Sequence, residues 1–146
     1  MVQATQRLIG WLFARSTAHQ HVTAIVAWWE ARRVPFNIIV AAAGVVSAAV
    51  MVGVAFTCVR RGGPPIGLPG SPLFTLVGAL IYGIVANLWY TGGWVAELLV
   101  ARLWTADTSR FGPIAFALGT GFSVFVTCLP AAAIVILAAA TSCRGW

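Results

Sequence analysis

The chain has 146 residues, of which 60% are hydrophobic and only 8% charged, and its formal net charge is +6. Soluble globular chains carry about 25% charged residues. A disordered chain, a nucleic-acid-binding domain and most soluble enzymes are therefore excluded, and an all-α integral membrane protein is the class that remains.

The charged side chains are Arg7, Arg15, Glu30, Arg32, Arg33, Arg60, Arg61, Glu97, Arg102, Asp107, Arg110 and Arg144. They leave three charge-free windows, 34–59, 62–96 and 111–143. Each window exceeds the roughly 20 residues a helix needs to cross the hydrocarbon core. A charge at the core centre costs at least about 2.5 kcal/mol on insertion scales. The arginines stand singly or in pairs at the window ends, where they meet lipid headgroups and set orientation. The positive charge thus reads as topology, and no nucleic-acid partner is expected.

In chain order, residues 1–35 form a cytoplasmic and interfacial segment, and 36–146 form the transmembrane helical domain. The apolar stretch Leu8–Ala14 is too short for a signal-peptide core, Arg15 interrupts it, and no A-x-A site follows. Val22, Ile25, Val26 and Trp29 are spaced i, i+3, i+4, i+7. That spacing predicts an interfacial amphipathic helix over 22–33, with Trp28 and Trp29 at headgroup level. Pro35 is expected to break it and start the next helix.

The first span is expected at about 36–59, with Asn37, Ser47 and Thr57 as its polar side chains. Gly44 with Ala48, and Ala49 with Gly53, are small pairs four apart that allow close helix approach. Residues 62–72 read GGPPIGLPGSP, which neither helix nor strand tolerates, so a turn-rich loop is expected. The second helix is expected over 73–91 and extended to 104, with a bend at Gly92-Gly93. After the polar run TADTSR, the third span is expected over 112–140. Pro113 suits its first turn, and Pro130 is the expected kink. The short connection makes helices two and three a long antiparallel hairpin.

Counting arginines for three spans puts six on the side of the N-terminus and three on the other. The excess predicts a cytoplasmic N-terminus and a periplasmic C-terminus. The pattern is similar to that of small bacterial inner-membrane proteins, so a bacterial inner (plasma) membrane is the expected location. That likeness transfers no functional residue.

Chemistry-bearing motifs are sparse. His19 and His21 both precede the first span and lack the further ligands of a closed metal site. Cys58, Cys128 and Cys143 form no C-x-x-C, which argues against zinc, iron–sulfur or thioredoxin-like chemistry. Cys58 and Cys143 face the same side in a three-span layout, so a disulfide is open to them. Unpaired thiols are the favoured reading, since sequence supplies no bond geometry. No nucleophile-elbow, zincin, P-loop or dinucleotide motif is present. No catalytic residue, cofactor or metal is expected.

Two lines of residues carry the candidate site. On helix two, Ala79, Gly83, Ala86, Tyr90, Gly93 and Glu97 are spaced 4-3-4-3-4, with Asn87 and Thr91 beside them. On helix three, Ala115, Gly119, Ser123, Thr127 and Ala131 recur every four residues. One reading is a polar seam between these helices, of Asn87, Tyr90, Thr91 and Glu97, with Glu97 carrying an ion or proton. The favoured reading is close packing through Gly83, Gly119, Ser123 and Thr127.

The expected function is that of a small membrane protein without catalytic apparatus. It would act as an accessory, assembly or structural subunit that packs in the lipid bilayer against another membrane protein or as a homo-oligomer. A small oligomeric channel or transporter along Asn87, Tyr90 and Glu97 is the alternative. A lipid-directed enzyme is disfavoured, because Glu97, Arg102 and Asp107 are too thin a set for acid–base chemistry.

Overall fold

A computed structural model describes residues 2–14, 22–63, 71–103 and 110–143. Four helices occur among them: α1 (Val2–Leu12), α2 (Val22–Arg60), α3 (Pro72–Leu103) and α4 (Phe111–Thr141), and the described residues contain no strand. Three helices, Val22–Arg60, Leu73–Leu103 and Phe111–Thr141, are long and apolar enough to cross a membrane. Arg15, His19, His21, residues 64–70, the connection 104–109 and Arg144 lie outside the described residues.

Two expectations at the N-terminal end need correction. The first concerns Pro35, which does not end a helix: α2 runs unbroken from Val22 to Arg60 with Pro35 inside it. A proline in a helix interior removes one backbone bond and costs about 3 kcal/mol. Side chains on both sides of it hold the helix together, because Trp29, Arg32, Phe36 and Val40 are all buried. Of the stripe expected at a lipid interface, Ile25 and Trp29 are buried as packing residues, whereas Val22 is exposed. The second is α1, which the sequence analysis did not foresee, having weighed Leu8–Ala14 only as a signal-peptide core.

The other two long helices follow the expected boundaries closely. Ser71 caps α3: its Oγ accepts from the Leu73 N–H at 3.3 Å, and Pro72 takes the first helical position, where its missing N–H costs nothing. Helix α3 then continues past Gly92-Gly93 to Leu103, and Pro130 lies inside α4.

The chain divides into two compact units. Unit 1 comprises residues 1–38 and 85–122, and unit 2 comprises 39–84 and 123–146. In unit 1 the core is aromatic. Trp29 packs edge-on against Tyr90 of α3 at 5.3 Å between ring centroids, and against Phe116 of α4 at 6.3 Å. Phe36 lies 4.7 Å from Tyr90, and Trp28 meets Phe116 at 6.3 Å. Tyr90 meets Phe116 and Glu97 meets Gly112, so α3 and α4 run antiparallel in this unit, as a hairpin requires.

In unit 2, α2 and α4 run in the same direction. The Cβ position of Gly44 meets the Thr127 methyl at 3.8 Å, and further along the pair Cys58 is bonded to Cys143. Both helices end in the same six-residue motif. The Gly63 N–H donates to the Cys58 carbonyl and the Gly62 N–H to the Val59 carbonyl, both at 3.0 Å. Likewise the Cys143 N–H donates to the Ala138 carbonyl at 3.2 Å and the Ser142 N–H to the Ala139 carbonyl at 3.4 Å. Such a cap places its turning residue in the left-handed region. Gly62 does so freely at φ 77°, whereas Ser142 at 50° and Cys143 at 60° carry side chains there. The two caps touch: a Cβ on Gly63 would collide with the Cys143 carbonyl oxygen.

The structure therefore joins Cys58 to Cys143 by a disulfide across 85 residues of sequence, with the Cα atoms 5.1 Å apart, against the reading of unpaired thiols. The pairing is decided by the abutting caps, which sequence spacing does not reveal. Cys128 is the free thiol. Thiol labelling of denatured, unreduced protein is expected to modify Cys128 alone, with two further labels after reduction. Labelling of all three without reductant would contradict the bond. Cys143→Ser is expected to lower stability by about 2–4 kcal/mol, the usual worth of a bond closing a long loop, measured by denaturant titration in detergent.

Candidate functional site

The polar residues of α3 converge on α2. Glu97 is 1% exposed, and its Oε2 accepts a hydrogen bond from the indole Nε1 of Trp29 at 2.6 Å. Burying a carboxyl group among apolar side chains is costly unless its oxygens are bonded. The indole N–H supplies one such bond. The carboxyl group also lies against the first turn of α4, where a Cβ built on Gly112 would sit 2.7 Å from Oε2. The positive end of a helix dipole favours negative charge there. A side chain at 112 would displace the acid, so Gly112 is required by proximity.

Two turns back along α3, the Tyr90 hydroxyl donates to the Trp29 carbonyl oxygen at 2.5 Å. Thr91 donates to the Asn87 carbonyl at 2.8 Å and accepts from the Arg33 guanidinium at 3.2 Å. Arg33 also pairs with Glu30 at 2.7 Å. Asn87 and Asn37 exchange amide hydrogen bonds at 2.9 and 3.3 Å. The expected seam of Asn87, Tyr90, Thr91 and Glu97 is thus brought together, but its partners are Asn37, Trp29 and Arg33 of α2. It was expected between helices two and three; these bonds face α2, while Glu97 also lies against Gly112 and Tyr90 against Phe116 of α4. Among the described residues its polar side chains are engaged with neighbouring groups.

The residues expected to pack helix two against helix three separate into two groups. In unit 2 the Tyr82 hydroxyl lies 2.6 Å from Thr127 Oγ1 and 3.0 Å from the Ser123 carbonyl oxygen, so Ser123 and Thr127 do meet α3. Gly119 is exposed, and a Cβ on either Gly119 or Gly83 would meet nothing within 4 Å. The buried residues of α4 are Gly112 and Phe116 in unit 1, and in unit 2 Ala131, which belongs to the expected line. Strict four-residue steps drift about 40° each around a 3.6-residue helix, which rotates Gly119 off the face that Thr127 occupies. The glycine of α3 that does permit close approach is Gly93, whose Cβ would lie 2.7 Å from the Trp29 ring.

A second polar cluster was not foreseen. Arg32 is buried, and its guanidinium donates to the carbonyls of Leu12 at 2.9 Å, Trp28 at 3.0 Å and Trp11. The Trp11 and Leu12 carbonyls are among the last acceptors of α1, which lack partners within the helix, and a cation at that end also suits the helix dipole. The guanidinium lies over the rings of Trp28 at 3.8 Å and Trp11 at 4.6 Å to centroid, contacts worth about 0.5–2 kcal/mol each. The Trp28 indole donates in turn to the Ala14 carbonyl at 3.2 Å. This cluster fastens α1 to α2. The signal for it was the pairing of Trp11 with Trp28 and Arg32, which no local spacing connects.

Among the described residues no group of three His, Cys, Asp or Glu side chains gathers as a metal ion would need. Comparison with protein-family models, with curated proteins and with solved structures yields no match to this chain.

Two neighbouring glycines test this geometry. Gly93→Ala is expected to destabilise the fold by about 1–3 kcal/mol, the usual cost of overpacking, because its methyl group enters the Trp29 ring. Gly92→Ala has open space at its Cβ and is expected to gain about 0.5–1 kcal/mol from helix propensity. Equal stabilities in denaturant titration would contradict the Trp29–Gly93 contact. Trp29→Phe is expected to cost about 1–3 kcal/mol for the lost bond alone, since it removes a donor to a buried acceptor.

Proposed function

We propose that this chain is a small multi-pass membrane protein without catalytic apparatus. It serves as an accessory or assembly subunit, packing in the bilayer against a larger membrane complex or against further copies of itself. The observation that carries this reading is the division of its side chains. Asn87, Tyr90, Thr91 and Trp29 spend their polar atoms on one another and on Asn37, Arg33 and Glu97. The outward positions are large and apolar, among them Val45, Phe56, Leu88, Trp89, Leu118 and Phe125. Such a surface suits lipid or another apolar helix.

A bacterial inner membrane with a cytoplasmic N-terminus is the location that fits. The arginine excess supports that orientation, and the disulfide supports it independently. Disulfides persist in oxidising compartments and are rare in the cytosol, so the ends of α2 and α4 that carry Cys58 and Cys143 belong outside. With a reporter fused after Trp146, periplasmic activity and no cytoplasmic activity are expected, and the reverse would overturn the orientation. Crosslinking in native membranes is expected to yield one defined larger product. A monodisperse, uncrosslinked monomer would count against the accessory role.

A channel or transporter is the second reading, favoured by the buried acid Glu97, since an ionisable residue within an apolar span is costly unless it has work to do. Reconstituted liposomes that leak no more than empty ones, with Glu97→Gln making no difference, would remove it.

A further inference from the structure

Unit 2 carries a groove of about 470 Å³ on the paired faces of α2 and α4, lined by Val50, Gly53, Val54, Thr57, Ala138 and Ala139 and bounded at one end by Cys58, Cys143 and Arg61. We propose that this groove binds one chain of an anionic phospholipid, with Arg61 holding the headgroup phosphate.

Three observations favour this occupant. The first is the chemistry of the lining. Apart from Arg61, the one polar side chain is that of Thr57, whose hydroxyl donates to the Gly53 carbonyl at 2.8 Å. The groove therefore offers apolar surface along its length, as an acyl chain requires. The second is dimension. Val50 to Arg61 spans eleven residue steps of α2, about 16 Å at 1.5 Å per residue. One leaflet of a hydrocarbon core about 30 Å thick is about 15 Å deep. A chain with its phosphate at Arg61 would thus be accompanied through its leaflet.

The third is charge. Unit 2 contains Arg60, Arg61 and Arg144 and no Asp or Glu. Arg60 stacks over Phe56 at 4.8 Å to centroid, and the Arg61 guanidinium has no hydrogen bond or ion pair among the described residues. The Arg61 guanidinium at the end of an apolar groove, with Arg60 next to it in sequence and no acidic side chain in unit 2, attracts a headgroup of net negative charge, which a guanidinium can bind through paired N–H donors. A zwitterionic headgroup brings its own cation and gains less.

The lipid site rests on the membrane reading and is independent of the accessory role. It is tested on the purified full-length protein in mild detergent, by thermal unfolding with added phosphatidylglycerol, phosphatidylcholine or free glycerol phosphate. Phosphatidylglycerol is expected to raise the midpoint by several degrees beyond phosphatidylcholine, and free glycerol phosphate to leave it unchanged. Gly53→Leu is expected to abolish the difference. A Cβ at Gly53 meets nothing within 4 Å, so the variant folds while its side chain occupies the groove. The double variant Arg60→Gln, Arg61→Gln is expected to abolish it as well. Gly78→Leu, equally open at its Cβ but outside the groove, is expected to retain the wild-type response. Equal shifts with both lipids, an equal response to free glycerol phosphate, or an undiminished lipid response in Gly53→Leu would each overturn the site.

Discussion

At the centre of unit 1 two buried side chains are bonded, the Trp29 indole N–H donating to the Glu97 carboxyl group. A carboxyl group in apolar surroundings must find donors or forfeit several kcal/mol. That requirement fixes the rotation of α3 about its axis, because only one face can present Glu97 to Trp29. Tyr90 lies on the same face and reaches the Trp29 backbone, and Gly93 between them clears room for the ring. Gly112 brings the first turn of α4 onto the same acid. Three helices thus have their mutual setting in this unit specified by one acid, one indole and two missing side chains. Apolar packing alone is less demanding, since a smooth aliphatic helix can rotate at little cost.

The remaining anchors use different chemistry. Arg32 donates to the last carbonyls of α1, and the indole rings of Trp11 and Trp28 lie against its charge. The charge is buried because it is solvated by carbonyl oxygens and aromatic faces in place of water. In unit 2 the anchor is covalent, and the caps of α2 and α4 bring Cys58 and Cys143 within bonding reach. Gly62 and Gly63 matter for separate reasons there, the first for its left-handed backbone and the second for the absence of a side chain beside Cys143. The shallow apolar groove beside this cap is left because α2 carries Gly53 where its neighbours carry larger side chains.

Much of the architecture is legible in the chain itself. Charge-free windows of sufficient length set the three long helices, because an unpaired charge in hydrocarbon is expensive and an apolar run is not. Ser71-Pro72 and Gly112-Pro113 mark helix starts through backbone chemistry that acts within a few residues. The inward stripe of α3 is visible as well, since Ala86, Tyr90, Gly93 and Glu97 share one helical face by spacing alone. Pro35 misleads for a definable reason: its local penalty is smaller than the packing energy of Trp29, Arg32 and Phe36 around it.

Other features are decided only when distant segments meet. Periodicity identified a polar face on α3 without naming its partner, and the face turned to α2 because Trp29, Arg33 and Asn37 offer complementary donors and acceptors there. The same ambiguity displaced Gly119, since a four-residue repeat and the 3.6-residue helix fall out of step. The disulfide and the Arg32 clamp join residues 85 and about 20 positions apart, and no local propensity encodes such distances. Sequence by itself determined which segments are helical and apolar, because those properties are sums over neighbouring residues. Tertiary structure alone decided which faces meet, because a buried polar atom is satisfied by whichever partner folding brings within about 3 Å.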